Sequence, residues 1–393
     1  MSEGNTIGAR LKAIRRERNL TQEMLAEAAG VSKDIIAKLE QGRRLSARTD
    51  TLIKLANALD VDLSDFTGKR DRIGADRDGG RVLALRNALI SPAILPDIDD
   101  PESDAEPVPL DDLRRAVAAA IATYWGGDFG PLLSSLPGLI VDARRTHSSV
   151  GAPAAQALAL AYDLGANLMV HLGRDDLAAI GSERAIVTAH GGGDELLWAT
   201  MTATYSWILL HQARLDEAER LAANMAARIE PSFSGDSKRV AVWGNLLMTA
   251  IAPAAAARRD VTEYISLASA GAERLGRRVN IYQTSFGAPS VAMQATHAHA
   301  TLGEPGQALE AARKIKPGDL KGISRGAHLL DVAQAHTDAK HQRAAVERLQ
   351  EARAVSPVWF RHQGIARSLV RDIREEATRP SPAIRSLAET LAL

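Results

Sequence analysis

The sequence predicts an all-α protein in which a four-helix module precedes a long stack of helix pairs. Three observations predict it. Of 393 residues, 70 are alanine, the best helix former, while aromatics make up only 4%. The first 66 residues hold four short apolar-periodic segments separated by sharp turn signals. From residue 113 onward the chain is Ala/Leu-rich helical pattern punctuated by Gly, Pro and Asp.

In the first zone, Ile7, Leu11 and Ile14 recur at helical spacing and give helix 1. Thr21 caps a second helix over 22–29, with Leu25, Ala26 and Ala29 inward. Gly30 breaks it, because a helix end favours a left-handed residue. Ser32 caps a third helix over 33–41, with Ile36 and Leu39 inward, and Gly42 ends it. A fourth helix over 50–59 buries Leu52, Leu55, Ala56 and Leu59; Val61, Leu63 and Phe66 close the core.

Between 67 and 112 the charge changes sign. Lys69, Arg70, Arg72, Arg77, Arg81 and Arg86 precede residue 92, around a short helix expected over 82–90. Val82, Leu85, Leu89 and Ile90 give that helix an apolar stripe suited to dimer contact. Residues 97–112 then carry eight acids, three prolines and no base, the composition of an extended linker. The expected division is 1–68, 69–112 and 113–393.

The third zone repeats loosely. Segments 211–231, 301–317 and 337–357 each combine a small-residue turn, a helix with Ala at helical spacing, and Pro. Aligning Ala218, Ala308 and Ala344 gives steps of 90 and 36 residues, and further units fit 162–186 and the region of Tyr264. Helix-turn-helix units at this period indicate an α-solenoid of the tetratricopeptide (TPR) kind.

Composition excludes several classes. Lys+Arg and Asp+Glu are both 48, so a wholly basic nucleic-acid coat is ruled out. With no cysteine there is no disulfide scaffold, zinc finger or thiol catalysis. No run of eighteen apolar residues predicts a membrane span, and the N-terminal charges precede no apolar stretch, so a cytoplasmic protein is expected.

Two short helices joined by a glycine turn are the sequence form of a DNA-reading motif. Its second helix needs an apolar inner face, here Ile36 and Leu39, and hydrogen-bonding side chains outside, here Ser32, Lys33, Asp34 and Lys38. Arg43, Arg44 and Arg48 follow, where they can neutralise phosphates. The alternative is a helical module that tethers a protein partner instead of DNA.

The string LTQEMLAEAAGVSKDIIAKLEQGRR…TDTLIKLANALDV resembles the Cro/C1-type (XRE) helix-turn-helix family over about residues 7–66. The resemblance implies a lambda-repressor-like domain and a double-stranded, palindromic DNA operator. It implies that Gln22 joins the bases after Gly42 on the DNA backbone, and that Arg15 and Glu40 form an ion pair. Met24, where many members carry Glu, leaves the helix 2 capping box incomplete. Segments 124–145, 285–309 and 326–336 resemble actinobacterial regulators joining this motif to a TPR-like domain. That implies a homodimeric transcription regulator, not an enzyme, whose solenoid senses a small-molecule or peptide effector or builds the dimer.

A solenoid binds through its concave face, so Trp198, Tyr205, Trp243, Asn245, Tyr282 and Phe286 are candidates to line a groove; the alternative is that they fill gaps between alanines. A remote alternative is an esterase: 190–193 copies an HGGG oxyanion motif and 322–326 a GxSxG elbow, with Asp331 and His336 behind it. Residues 314–321 are not the strand an elbow requires. His297 and His299 lie two apart, on different faces of a helix, and His336 and His341 lack a third partner, so no metal and no cofactor is expected.

Overall fold

The structure is a computed structural model. It describes residues 7–18, 20–43, 47, 49–59, 61, 79–91, 106–232, 236–376 and 379–393. Among the described residues it is all-α apart from one short hairpin. An N-terminal helix-turn-helix module is followed by stacked helix pairs.

The module comprises α1 (Ile7–Glu17), α2 (Gln22–Ala29), α3 (Lys33–Glu40) and α4 (Thr49–Leu59). Thr21 Oγ1 accepts from the Met24 N–H at 3.1 Å, and Gly30 closes α2 in the left-handed region at φ 59°. Leu11, Leu25, Ile36, Leu39, Leu55 and Leu59 form its buried core. Leu63 and Phe66 lie outside the described residues.

Helix α5 (Gly79–Leu89) belongs to the second body and is not a free linker helix. Leu85 and Leu89 are wholly buried. Leu89 seats on Gly165 and Gly181, where an added Cβ would lie 3.0 and 3.2 Å from its methyl. The expected dimer stripe is therefore consumed inside the chain. Arg144 donates to the Ala88 carbonyl at 2.7 Å and holds the helix end. Most of the acidic stretch, 97–105, lies outside the described residues.

Helices α6 (Leu110–Gly126), α7 (Phe129–Val150), α8 (Ala152–His171), α9 (Asp175–Gly191), α10 (Glu195–His211) and α11 (Leu215–Arg228) form three antiparallel pairs. Further pairs are α12 (Ser237–Ala256) with α13 (Thr262–Leu275), and α14 (Ala288–Leu302) with α15 (Pro305–Ala312). The last are α16 (Gly322–Asp338) with α17 (Gln342–Val355) and, after the short α18 (Pro357–Arg361), α19 (Gly364–Glu376) with α20 (Pro382–Thr390).

One turn recurs in five successive pairs, from α8 to α17. Gly173, Ala213, Arg258, Gly303 and Lys340 each take positive φ after the first helix of a pair. The following N–H bonds back across the helix end, as Arg174 to Met169, Arg214 to Leu209, Arg259 to Ala254, Glu304 to His299 and His341 to His336, all 2.8–2.9 Å. This satisfies orphan carbonyls in a Schellman-type stop. Five residues after the positive-φ position lie Ala178, Ala218, Ala308 and Ala345, all wholly buried. The repeat register thus passes through Ala345, one residue beyond the Ala344 suggested by sequence. In the α13 unit the turn is longer and Ile265 fills the place, its N–H bonded to the Val261 carbonyl.

First helices of successive pairs line one layer, and α6 also touches α16. Ser356 Oγ donates to the Gly127 carbonyl at 2.9 Å, and a Cβ on Gly322 would lie 1.9 Å from the Trp125 carbonyl. The departure from all-α sits at this closure. Strands β1 (Val279–Ile281) and β2 (Thr284–Phe286) pair antiparallel around Tyr282–Gln283, with Val279 and Ile281 buried and Asn280 exposed. Helix α12 is long and apolar enough to cross a membrane by length and composition, but it is largely buried between neighbouring pairs.

Helix α8 is buried almost all round, and it carries Asp163 with no exposed surface. Burial pushes this carboxyl up to about 7, and polar neighbours, among them Asn167 donating to Oδ2 at 3.0 Å, only partly oppose it. An acid with a raised folded pKa holds its proton longer folded than unfolded, so stability falls as pH rises from about 4 to about 7. Asp163→Asn should remove that fall and stabilise the repeat domain at pH 8 by on the order of 4 kcal/mol, read from denaturant unfolding at pH 4.5 and 8. A pH-independent difference between the two proteins would refute the assignment.

Candidate nucleic-acid interface

The candidate surface is the outer face of α3, and its position is fixed from below. Arg15 on α1 donates from Nε to Glu40 Oε1 at 2.6 Å and from Nη2 to Oε2 at 2.7 Å. Its Nη1 donates to the Leu20 carbonyl at 2.7 Å, and Gln22 Nε2 donates to Glu40 Oε2 at 2.8 Å. One carboxylate therefore ties α1, the turn before α2, α2 itself and the end of α3. Burial disfavours the Glu40 charge, but hydrogen bonds from Arg15 and Gln22 outweigh it and hold the carboxyl below its usual range. The Arg15 pKa moves up, chiefly through its hydrogen bond to Glu40.

Gly8 also sets this geometry, a residue that helical periodicity passes over. Its Cβ position lies 1.8 Å from the Leu39 carbonyl, so α1 crosses α3 in backbone contact. Sequence alone shows only a glycine in a helix, not the carbonyl facing it.

On α3, Ile36 and Leu39 point into the core, while Ser32, Lys33, Asp34 and Lys38 are exposed. Ser32 Oγ accepts from the Ile35 N–H at 3.4 Å, a long cap. Lys33 forms an ion pair with Glu23 on α2, and Lys38 pairs with Asp34 one turn back at 2.6 Å. Both lysines are half-exposed, and such surface pairs contribute roughly 0–1 kcal/mol, so another anion can displace them at small cost. Arg43 is exposed just past α3. Arg44 and Arg48 lie outside the described residues. Gln22, whose amide is engaged by Glu40, stands beside the clamp.

Of the six candidate groove residues, Trp198, Trp243, Tyr282 and Phe286 pack on one hydrophobic cluster, of which Tyr205 and Asn245 are not members. Phe286 is wholly buried over Gly244 and offers no surface to a ligand. Trp243 is partly buried and reaches Gly271, and Asn245 is partly buried one turn from Thr249. Trp198 lies under the Arg228 guanidinium, 4.8 Å from the ring centre, with His190 at its edge. Tyr205 donates to Glu183 at 3.0 Å, two turns beyond Trp198 on α10. Tyr282 sits at the hairpin tip with φ 52° and donates to both Asp194 oxygens at 2.7–2.8 Å. Burial first, then that carboxylate, pushes its phenol up.

The esterase-like residues are not assembled for catalysis. Gly322–Gly326 opens helix α16 with no strand before it, and 190–193 ends helix α9. Asp331 meets His297 at 3.0 Å. Among the described residues, no group of three or more His, Asp or Glu side chains forms a metal cage.

A family model described as Helix-turn-helix matches residues 11–66. The chain is similar to the immunity repressor protein of Bacillus phage phi105, 41% identical over 68 residues, covering 17% of this chain and 46% of that protein. It is similar to the HTH-type transcriptional regulator PrtR of Pseudomonas aeruginosa, 51% identical over 57 residues, covering 14% of this chain and 22% of that one. The ImmF control region 10 kDa protein of phage phi105 is 36% identical over 80 residues, covering 20% of this chain and 86% of its own length. The chain thus spans about half of the first relative and about a fifth of the second. A structural comparison returns Bacillus thuringiensis PlcR in complex with the peptide PapR7 and DNA, at TM-score 0.31 and 15% identity, covering 69% of this chain and 96% of that one.

Two tests address the support beneath α3. Gly8→Ala should destabilise the module by about 1–3 kcal/mol despite the better helix propensity of alanine, because a backbone carbonyl cannot move aside. Chemical denaturation of the module checks it, and a stabilised variant would show that the two backbones do not touch. Glu40 has a depressed folded pKa, so its contribution is complete above about pH 5 and fades as pH falls through the folded value. Glu40→Gln should lose that acid-side slope and cost about 3–5 kcal/mol at pH 7, since Arg15 is then left buried and unpaired. Unchanged acid unfolding would disprove it.

Proposed function

We propose, from the premise that the chain belongs through residues 11–66 to the Cro/C1-type helix-turn-helix family, that it is a sequence-specific, DNA-binding transcription regulator. The observation that carries this reading is α3 itself. It is a helix with an apolar inner face, a capped N-terminus, two exposed lysines and an exposed aspartate, locked to α1 and α2 by one buried ion pair. Such a helix enters the major groove, where Lys33 and Lys38 donate to guanine edges and Asp34 accepts from cytosine. Ser32 joins them, while Gln22, Arg43, Arg44 and Arg48 hold phosphates.

On entry, Lys33 leaves Glu23 and Lys38 leaves Asp34, exchanging weak surface pairs for base contacts. A homodimer doubles the half-sites and raises affinity through effective concentration, which favours a palindromic operator. The repeat domain supplies the regulatory half: it takes a small-molecule or peptide effector, holds the dimer, or does both. The effector acts by favouring one arrangement of the two reading heads.

In a binding assay against duplexes selected from a random pool, Lys33→Ala and Lys38→Ala should each lose about 1–3 kcal/mol of discrimination between selected and random DNA. Arg43→Ala should weaken both alike and lower the salt dependence. Equal losses on both duplexes for all three variants would reverse the division of roles. An absence of any selected sequence would reject DNA reading in favour of a tether for protein partners.

A further inference from the structure

The repeat domain carries a strongly basic surface that the reading helix does not use. Arg274, Arg277 and Arg278 leave the end of α13 toward the hairpin, and Lys314, Lys316 and Lys321 occupy the turn between α15 and α16. All six are exposed. The Arg278 guanidinium donates to the Asp319 carbonyl, which brings the two segments together across the chain. Segments 273–278 and 313–325 hold eight cations and two acids, in a chain whose formal net charge is zero. One of those acids, Asp319, is already engaged, accepting from the Lys316 N–H at 2.8 Å. Arg313 pairs with Glu310 at 2.9 Å. No salt bridge joins Arg277, Lys314, Lys316, Lys321 or Arg325 to an acid among the described residues.

Lysine usage sharpens the point. Arginine outnumbers lysine 38 to 10 in this chain, yet three of the ten lysines fall within residues 314–321. A lysine ammonium is a compact, mobile point charge with no demand for planar, two-pronged geometry. Each ammonium can neutralise one phosphate of a backbone without holding a fixed two-pronged geometry. The reading helix, by contrast, keeps both its lysines paired with carboxylates.

We infer that this surface is a second DNA contact, taking the phosphodiester backbone of duplex DNA beside the segment read by α3. The inference rests on the DNA-binding reading above. Nineteen residues separate α4 from α5, a contour of up to about 65 Å, so both surfaces can engage one duplex. Once α3 is bound, the second contact is intramolecular and needs little intrinsic affinity. It reads no bases, so it raises affinity without altering sequence preference.

The test uses the full-length chain and a long duplex carrying a selected sequence, with a random duplex alongside. The triple variant Lys314→Gln, Lys316→Gln, Lys321→Gln should bind both duplexes more weakly at low salt. The slope of log K against log salt should fall by about 2–3, since each lost phosphate contact removes about 0.9. The ratio of selected to random affinity should stay at the wild-type value. Arg343→Gln, which removes an exposed cation on α17 outside the patch, should leave the slope unaltered. A triple variant with the wild-type slope overturns the second contact while leaving α3 as the reader. An equal slope change per charge in Arg343→Gln overturns it too, because the effect is then that of net charge alone. If wild type shows no preference for any sequence but the triple variant still loses slope, the α3 reading fails and the patch stands.

Discussion

Helix backbones in this chain approach so closely that single methyl groups decide whether they fit. The constraint is the same in both bodies. A Cβ on Gly8 would strike the Leu39 carbonyl, one on Gly322 the Trp125 carbonyl, and ones on Gly165 and Gly181 would crowd Leu89. Between the helices of successive pairs, Ala178, Ala218, Ala308 and Ala345 do the same work with a methyl instead of a hydrogen. Dispersion falls off steeply with distance, so small residues that bring two helices together recover many weak contacts at once. An alanine-rich, aromatic-poor chain therefore has a dense core without large side chains.

The reading surface depends on that approach. With α1 against α3, Arg15 comes within reach of Glu40 and fills both carboxylate oxygens. A buried carboxylate with one donor missing would be expensive; here Arg15 and Gln22 supply three hydrogen bonds to it. The result is a rigid base beneath α3 and a loosely paired surface above it. Rigidity places the side chains proposed to meet base edges, and weak exposed pairs let Lys33 and Lys38 exchange partners cheaply.

Much of this was legible in the sequence. Thr21 and Ser32 announce their caps, Gly30 its turn, and Leu25, Ile36 and Leu39 their inward faces, because these are local rules of spacing and side-chain chemistry. What failed was whatever depends on a neighbour distant in the chain. The stripe of α5 is apolar whether it meets a second copy or α8 and α9, and periodicity cannot distinguish them. The repeat register slipped between Ala344 and Ala345 because both are alanine and only the five-residue step from Lys340 selects one. The hairpin was signalled by Val279 and Ile281 alternating with Arg278 and Asn280, a two-residue period lost among helical surroundings. Phe286 and Trp243 are equally aromatic, and only packing shows that the first has no surface left.

The hairpin bears most on how a signal could act. Its tip is held from two sides: the Gln283 carbonyl accepts from the Trp125 indole at 3.1 Å, and the Tyr282 phenol donates to Asp194. Asp194 is itself the cap of α10, accepting from the Leu197 N–H at 3.0 Å. The tip thereby links α6, the start of α10 and the approach to α14, elements far apart in sequence. It does so with a tyrosine in the left-handed region, a conformation that costs about 1–2 kcal/mol and persists because the surrounding bonds outweigh it. A ligand shifts an equilibrium only through contacts that differ between two states. Moving α6 away from the start of α10 requires these bonds to break. An effector of the proposed kind that moved α6 relative to the start of α10 would therefore have to replace the Tyr282 and Trp125 contacts or reinforce them.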